Sequence, residues 1–181
     1  IMDMKAAGVD AVFSVPTPPQ SIVIVKQMKE LNFSPKLTLF IRGPDLSTYW
    51  KSMEKDANYI ISDGNWDETM NYPGNDRVVK DYRAVNPDVS SIGIPVGCAY
   101  GAVQILAKAI EIEGTLDREK LRNTIGKVEM MTVRGPIKFR PNGSAIIKYG
   151  FRQWQDGKNV QIWPKEVAVG KLLLAPPWDK R

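Results

Sequence analysis

Residues 9–33 constrain the fold more than any other stretch, because their pattern changes from that of a strand to that of a helix. Residues 11–15 form a short, almost wholly apolar run, which is typical of a strand buried on both faces of a parallel sheet. Three prolines, Pro16, Pro18 and Pro19, then interrupt regular strand pairing, because proline lacks a backbone N–H. The apolar residues that recur at helical spacing afterwards are Ile22, Val25, Met28 and Leu31.

The same alternation continues along the amino-terminal part of the chain. Residues 37–41 and 58–62 are strand-like, and a short helix is predicted between them. Strands that alternate with helices predict a parallel sheet covered by helices, here over residues 9–62. Ligands bind at the carboxyl ends of such strands, so the loop at residues 16–20 is a candidate binding loop. A crossover that binds nothing is the alternative.

Composition excludes several classes of protein. The chain has 181 residues, of which 43% are hydrophobic, and no apolar run approaches the roughly 20 residues that span a bilayer. The net charge of +5 is spread along the chain, so nucleic acid is not an expected partner. Because the first residue is Ile1 rather than methionine, we expect a processed product or a fragment.

The sequence contains no histidine, which removes Ser–His–Asp and Cys–His catalysis and imidazole metal sites together. Cys98 is the single cysteine, and a buried apolar role is expected for it. Residues 63–67 have the D-x-N-x-D spacing of a calcium loop, but Glu68 and Gly74 break the rest of that pattern. The sequence therefore predicts no metal site and no cofactor. An enzyme would have to use carboxylates, lysine, tyrosine or Cys98.

Two features mark the carboxyl-terminal half. The longest predicted helix covers residues 96–113, and Tyr100 in its first turns is expected in the core. Its apolar face consists of Ala99, Val103, Leu106, Ala107 and Ile110. Asp156 and Gly157 lie between two aromatic, β-prone segments, 151–154 and 159–163, which predicts a hairpin closed by a two-residue turn.

Five segments in this order resemble the carboxyl-terminal half of a type I periplasmic binding protein. They are KAAGVDAVF with the following KQMKELNF, then IRGPD, AYGAVQILAKAIEIEGTLDREKLRNTI, VRGPIKFRPNGSA and FRQWQDGKNVQIWP. The most similar group is the branched-chain amino-acid (Leu/Ile/Val) binding family of ABC importers. The resemblance implies an α/β fold with the Rossmann-like parallel sheets of a two-lobed protein whose amino-terminal part is missing. Residues 1–93 would belong to the second lobe, 94–147 to the returning segment of the first lobe, and 148–181 to the last crossover, hairpin and tail.

The resemblance also implies a function. Such a protein is no enzyme. It binds an amino acid or a related small organic solute in the cleft between its lobes and delivers it to the membrane permease of an ABC transporter. It is periplasmic or extracytoplasmic and reaches the membrane through that transporter. The ligand-sensing domain of a regulator or receptor with the same fold is the alternative.

Five residues match or adjoin the ligand positions of the family. Thr17 stands where amino-acid binders place a tyrosine, and Asp45 matches the carboxylate that receives the ligand ammonium. Pro95 matches a cleft-wall position that is aromatic in amino-acid binders. Trp66 is a candidate for stacking on the ligand, and Arg42 for pairing with an acidic one. The alternatives are a helix N-cap for Asp45, a surface tryptophan packed on a neighbouring tyrosine for Trp66, and a surface arginine for Arg42.

Overall fold

The computed structural model describes residues 1–89 and 92–181, which form two compact units. Unit 1 consists of residues 1–64 and 149–181, and unit 2 of residues 65–148. Residues 65–93, which the sequence analysis grouped with the preceding residues, thus belong to the same unit as residues 94–148. The assignment of segments to the lobes of a binding protein stays a prediction.

The elements follow one another along the chain in this order. The strands are β1 (Ala11–Ser14), β2 (Leu37–Phe40), β3 (Ile60–Asp63), β4 (Met130–Thr132), β5 (Gly135–Phe139), β6 (Ala145–Ile146), β7 (Phe151–Gln155) and β8 (Lys158–Trp163). The α-helices are α1 (Met2–Ala6), α2 (Pro18–Glu30), α3 (Ser47–Met53), α4 (Asn75–Val85), α5 (Ile94–Glu113) and α6 (Arg118–Ile125). Within the described residues, no helix has both the length and the apolar character needed to cross a membrane.

Unit 1 is built on a five-stranded sheet in the order β1-β2-β3-β7-β8. Strands β1, β2 and β3 are mutually parallel, which confirms the predicted α/β sheet. Every residue of β3 is buried, whereas Phe13 in β1 is 65% exposed. The prediction that residues 11–15 are buried on both faces is therefore wrong. Burial alternates along β1, since Val12 is buried and Phe13 is exposed, so one face of the strand packs on the core and the other face does not.

The predicted hairpin at Asp156 and Gly157 is confirmed. Strand β7 pairs antiparallel with β8, and the two turn residues have φ values of 47° and 82°. Positive φ at both central positions is the geometry of the turn that matches strand twist in short hairpins. Strand β7 also pairs antiparallel with β3, so the hairpin extends the parallel sheet on its far side.

The core of unit 1 lies under α2, α3 and the hairpin. Its most deeply buried apolar residues come from all of these elements: Val25, Met28, Phe40, Tyr49, Met53, Ala57 and Ile60, with Trp154 from β7. Trp50 stacks on Trp154 with ring centroids 5.5 Å apart. This packing ties α3, and with it the loop that follows β2, to the hairpin.

Unit 2 combines α4, α5 and α6 with the three antiparallel strands β4, β5 and β6. The long helix α5 buries a stripe of small and aliphatic residues: Ile94, Gly97, Gly101, Ile105 and Ala109. Tyr100 is 43% exposed and Val103 is 65% exposed, so the expected core position of Tyr100 is wrong. The apolar face predicted from the sequence points away from the packed side, because unit 2 packs against the glycine-containing stripe, where another chain segment can approach most closely.

Candidate functional site

The loop after β2, residues 42–45, is anchored more firmly than an ordinary surface loop. Gly43 has a φ of +103° and packs so closely on α2 that an ideal β-carbon there would lie 2.4 Å from the Ser21 hydroxyl oxygen and 3.1 Å from the Pro18 α-carbon. The buried Pro44 carbonyl accepts hydrogen bonds from Trp154 Nε1 at 2.7 Å and from Asn159 Nδ2 at 3.4 Å. Helix α2 and the hairpin together therefore fix the position of this loop.

Asp45 is the half-buried carboxylate of that loop. Its Oδ1 accepts a hydrogen bond from the Gly43 backbone N–H at 2.9 Å. Burial raises the pKa of Asp45 above its usual value, while the N–H of Gly43, its own N–H and the charge of Arg42 act in the opposite direction. Leu46, not Asp45, is the N-cap residue of α3, so the alternative interpretation of Asp45 as a helix cap is wrong. Arg42 itself is exposed.

Thr17 is the N-cap residue of α2 and is exposed. Its hydroxyl and its backbone N–H both donate to Gln20 Oε1, each at 2.9 Å. Because Pro18 and Ser21 in the first turn of α2 contact Gly43, the loops after β1 and β2 lie side by side. Unit 1 thus brings together the two loops that carry Thr17 and Asp45.

Trp66 lies in the core of unit 2 rather than at a ligand-facing wall. Its side chain has no exposed surface, and its Nε1 donates to Asn75 Oδ1 at 2.9 Å. Gly97 of α5 packs directly on the indole ring. A ring that is enclosed on all sides cannot stack on a ligand, so this role is corrected to a structural one. The alternative of a surface tryptophan is also wrong, because the side chain is fully buried.

Pro95 is exposed and occupies the first turn of α5, just after the helix N-cap at Gly93. Proline is well suited to this position, because the backbone N–H that it lacks would have no partner within the helix. The structure therefore explains Pro95 by helix geometry, and a contact with ligand stays a prediction.

Unit 2 contains a cluster of polar side chains that the sequence did not predict. Arg134, in the turn between β4 and β5, donates from Nη2 to Asn65 Oδ1 at 3.1 Å. The thiol of Cys98, in the first turns of α5, lies 3.8 Å from the same oxygen. Cys98 is half-buried, because it packs against the apolar cluster around Trp66 and also borders these polar atoms. No sequence signal marked this group, because its members lie far apart along the chain and match no motif.

Metal chemistry finds no support in the described part of the chain. Among those residues, no group of three or more histidine, cysteine, aspartate or glutamate side chains is placed to hold an ion.

The comparison with known families assigns the chain to a group. Residues 1–159 match the profile of the periplasmic binding protein family. The chain belongs to this family. This confirms the resemblance that the order of motifs indicated. Proteins of the family bind solutes outside the cytoplasm, and its members are not enzymes.

Solved structures agree with the family at the level of the fold. A leucine-binding protein from Thermotoga maritima is 20% identical, with a TM-score of 0.73 over 88% of this chain and 45% of that protein. An ABC transporter solute-binding protein from Rhodopseudomonas palustris, in complex with p-hydroxybenzoic acid, is 19% identical, with a TM-score of 0.68 over 98% and 49%. An isoleucine complex of a branched-chain amino-acid binding protein from Streptococcus pneumoniae is 16% identical, with a TM-score of 0.65 over 92% and 45%. The chain spans about half the length of these periplasmic binding proteins.

Proposed function

We propose that the chain is the carboxyl-terminal half of an extracytoplasmic solute-binding protein of an ABC importer. In this proposal the solute is an amino acid or a related small organic molecule, held in the cleft between two lobes and released to a membrane permease. Membership of the periplasmic binding protein family supports the class of function. The proposal keeps residues 1–93 in the second lobe, 94–147 in the returning segment of the first lobe, and 148–181 in the last crossover, hairpin and tail.

The observation that carries the proposal is the placement of Asp45. Its carboxylate is half-buried, and its loop is fixed by Gly43 and Trp154. Among the described residues, no lysine or arginine lies within ion-pair distance of it. A half-buried carboxylate without a paired cation is unfavourable, because the backbone hydrogen bonds and the charge of Arg42 offset only part of the hydration that burial removes. A ligand ammonium or hydroxyl would supply the missing partner through a charge-assisted hydrogen bond.

The other proposed contacts are weaker. Thr17 lies next to the Asp45 loop and offers a hydroxyl in place of an aromatic ring, which leaves room for a ligand bulkier than leucine. Arg42 is exposed and can pair with an acidic ligand group by side-chain rotation. Pro95 would contribute an apolar surface from the start of α5. We omit Trp66 from the site, because its ring is enclosed in the core of unit 2.

The ligands of similar proteins support the choice of a solute class. The solved relatives include complexes with isoleucine and with p-hydroxybenzoic acid. Both molecules carry one carboxylate on a compact organic body, and isoleucine alone carries an ammonium. We therefore propose a small organic acid, and the role of Asp45 favours one that also has an amine or a hydroxyl.

The test compares Asp45→Asn with the wild type in the full-length protein that contains this chain. A thermal-shift screen of amino acids and aromatic acids identifies a ligand, and isothermal titration then measures its dissociation constant. Asparagine keeps the oxygen that accepts from Gly43 but loses the charge. We expect a loss of affinity of about 1.5–3 kcal/mol, which is roughly a tenfold or larger rise in the dissociation constant.

Asp10→Asn is the matched control, because Asp10 is a surface carboxylate paired with Lys36. It should leave the affinity unchanged. An Asp45→Asn dissociation constant within about twofold of the wild type would contradict the role of Asp45 as a ligand anchor.

A further inference from the structure

Arg134 lies in the turn formed by residues 132–135. Hydrogen bonds that do not involve the Arg134 side chain stabilise this turn. Thr132 Oγ1 donates to the Gly135 carbonyl at 2.9 Å and accepts from the Arg134 backbone N–H at 3.1 Å. The Val133 N–H donates to Gln104 Oε1 on α5 at 3.0 Å. None of these bonds uses the guanidinium, so the geometry of the turn does not explain why an arginine stands there.

The guanidinium is nevertheless held in one place. Its aliphatic stem packs on α5 at Gly101, where an ideal β-carbon would lie 3.4 Å from Cδ. Nη2 donates to Asn65 Oδ1, and within the described residues this is the single hydrogen bond from the guanidinium. Nε is buried without an acceptor in the described part of the chain. An arginine has five N–H donors, so further donors remain available to a ligand.

Arg134 also has no counter-ion within the described part of the chain. None of the ion pairs within 4.0 Å among the described residues includes it. Arg83, the other partly buried arginine of unit 2, pairs with Glu68 and also donates to the Val89 carbonyl. Arg83 therefore has both a counter-ion and a hydrogen-bond acceptor within unit 2. A positioned, partly desolvated and unneutralised guanidinium is unfavourable unless an anion joins it.

We propose that Arg134 binds the carboxylate of the solute. This inference rests on the proposed function and deepens it, because it names a residue for the anionic group of the solute. A guanidinium matches the planar geometry of a carboxylate and can donate two parallel hydrogen bonds to it. Its single charge suits a monoanion such as a carboxylate.

The test observes Arg134 directly in the 181-residue chain. Arginine Nε–H signals are recorded by ¹⁵N NMR, and the Arg134 signal is identified by its loss in Arg134→Met. Sodium benzoate is the probe, benzamide is its neutral equivalent, and sodium chloride matches the ionic strength. We expect benzoate to move the Arg134 signal saturably, and benzamide and chloride to leave it in place.

The dissociation constant of benzoate is then compared between the wild type and variants of Arg134. Methionine keeps the stem that packs on Gly101, and we expect Arg134→Met to raise the benzoate dissociation constant at least about tenfold. Arg134→Lys, which keeps the charge but not the two parallel donors, should show an intermediate loss. The control Arg77→Met removes an exposed arginine of α4 and should stay within about twofold. Dispersed backbone spectra of each variant establish that it is folded.

Each result has one meaning for Arg134. An unmoved Arg134 signal at saturating benzoate, or an equal shift with chloride, overturns the proposal. A solute that the full-length protein binds equally well with Arg134→Met also overturns it, while the proposed function stands. A saturable shift with benzoate in a full-length protein that binds none of the screened amino acids or organic acids would instead support the anion site and reject the proposed function.

Discussion

Substituting Gly97 by alanine tests the packing of α5 on Trp66. An ideal β-carbon at Gly97 would lie 2.2 Å from Cδ2 and 2.4 Å from Cε2 and Cγ of the indole. Carbon atoms in contact are normally about 3.5–4.0 Å apart, so the helix and the ring would have to separate by more than about 1 Å. The Trp66 ring cannot move away freely, because it is fully buried and hydrogen-bonded to the buried side chain of Asn75.

The expected cost follows from three contributions. Overpacking of a core costs about 1–3 kcal/mol, and loosening the buried bond to Asn75 costs about 1–3 kcal/mol. Alanine returns about 1 kcal/mol through its higher helix propensity. We therefore expect Gly97→Ala to lower the free energy of unfolding of unit 2 by about 1–5 kcal/mol.

Gly101→Ala is the matched control in the same helix. There the new β-carbon would meet Arg134 Cδ at 3.4 Å, which is an ordinary contact. The same substitution should therefore stabilise unit 2 or leave it unchanged, within about 1 kcal/mol. Urea unfolding followed by far-ultraviolet circular dichroism and by tryptophan fluorescence measures both variants. Equal stability of the two alanine variants would refute the conclusion that Trp66 fills the space at Gly97.

Three further predictions concern unit 1. The Tyr49 hydroxyl is buried and has no hydrogen-bond partner among the described residues, so Tyr49→Phe should be neutral or stabilising by up to about 1 kcal/mol in urea unfolding, and a clear loss would reveal a hidden partner. Trp178 packs on the core and donates from Nε1 to the Phe33 carbonyl at 2.8 Å, so Trp178→Ala should cost about 2 kcal/mol and speed amide hydrogen exchange in β2, whereas unchanged exchange would contradict a role for the tail in holding this sheet. Because the pKa of Asp45 is raised in the folded chain, the folded state holds this proton more tightly than the unfolded state, and stability falls as the pH rises from the ordinary value of about 4 through the folded pKa. The stability of Asp45→Asn relative to the wild type should therefore increase over that range, and a difference that does not vary with pH would contradict the raised pKa.

Local chemistry made parts of the fold predictable from the sequence. The hairpin depends on two adjacent residues that tolerate positive φ, and the parallel strands depend on apolar runs separated by a helical period. Both signals lie within short segments, so the sequence alone was enough to place them. The family resemblance likewise rested on the order of segments rather than on long-range packing.

The burial of individual residues depended on contacts that sequence spacing does not encode. Trp66 became a core residue because Gly97, far along the chain, leaves room for its ring. Tyr100 became exposed because α5 packs through its stripe of small residues, although its other face is the more hydrophobic. Arg134 and Asn65 meet only in the folded unit. The alternative role of Asp45 as a helix cap could likewise be rejected only from the structure, where Leu46 is the N-cap residue of α3.

The division of the chain has a consequence for its synthesis on the ribosome. Unit 2 is a continuous segment, residues 65–148, whereas the sheet of unit 1 joins β3 to β7, which is made much later. Domains fold as units while the chain emerges, usually from the amino terminus onward. In this chain unit 2 is complete before unit 1. Strands β1 to β3 are synthesised first, but the edge of β3 that pairs with β7 stays unpaired until the hairpin has been made. Factors that shield nascent strands should therefore act on residues 11–63, and slowing translation after residue 148 would lengthen their exposure.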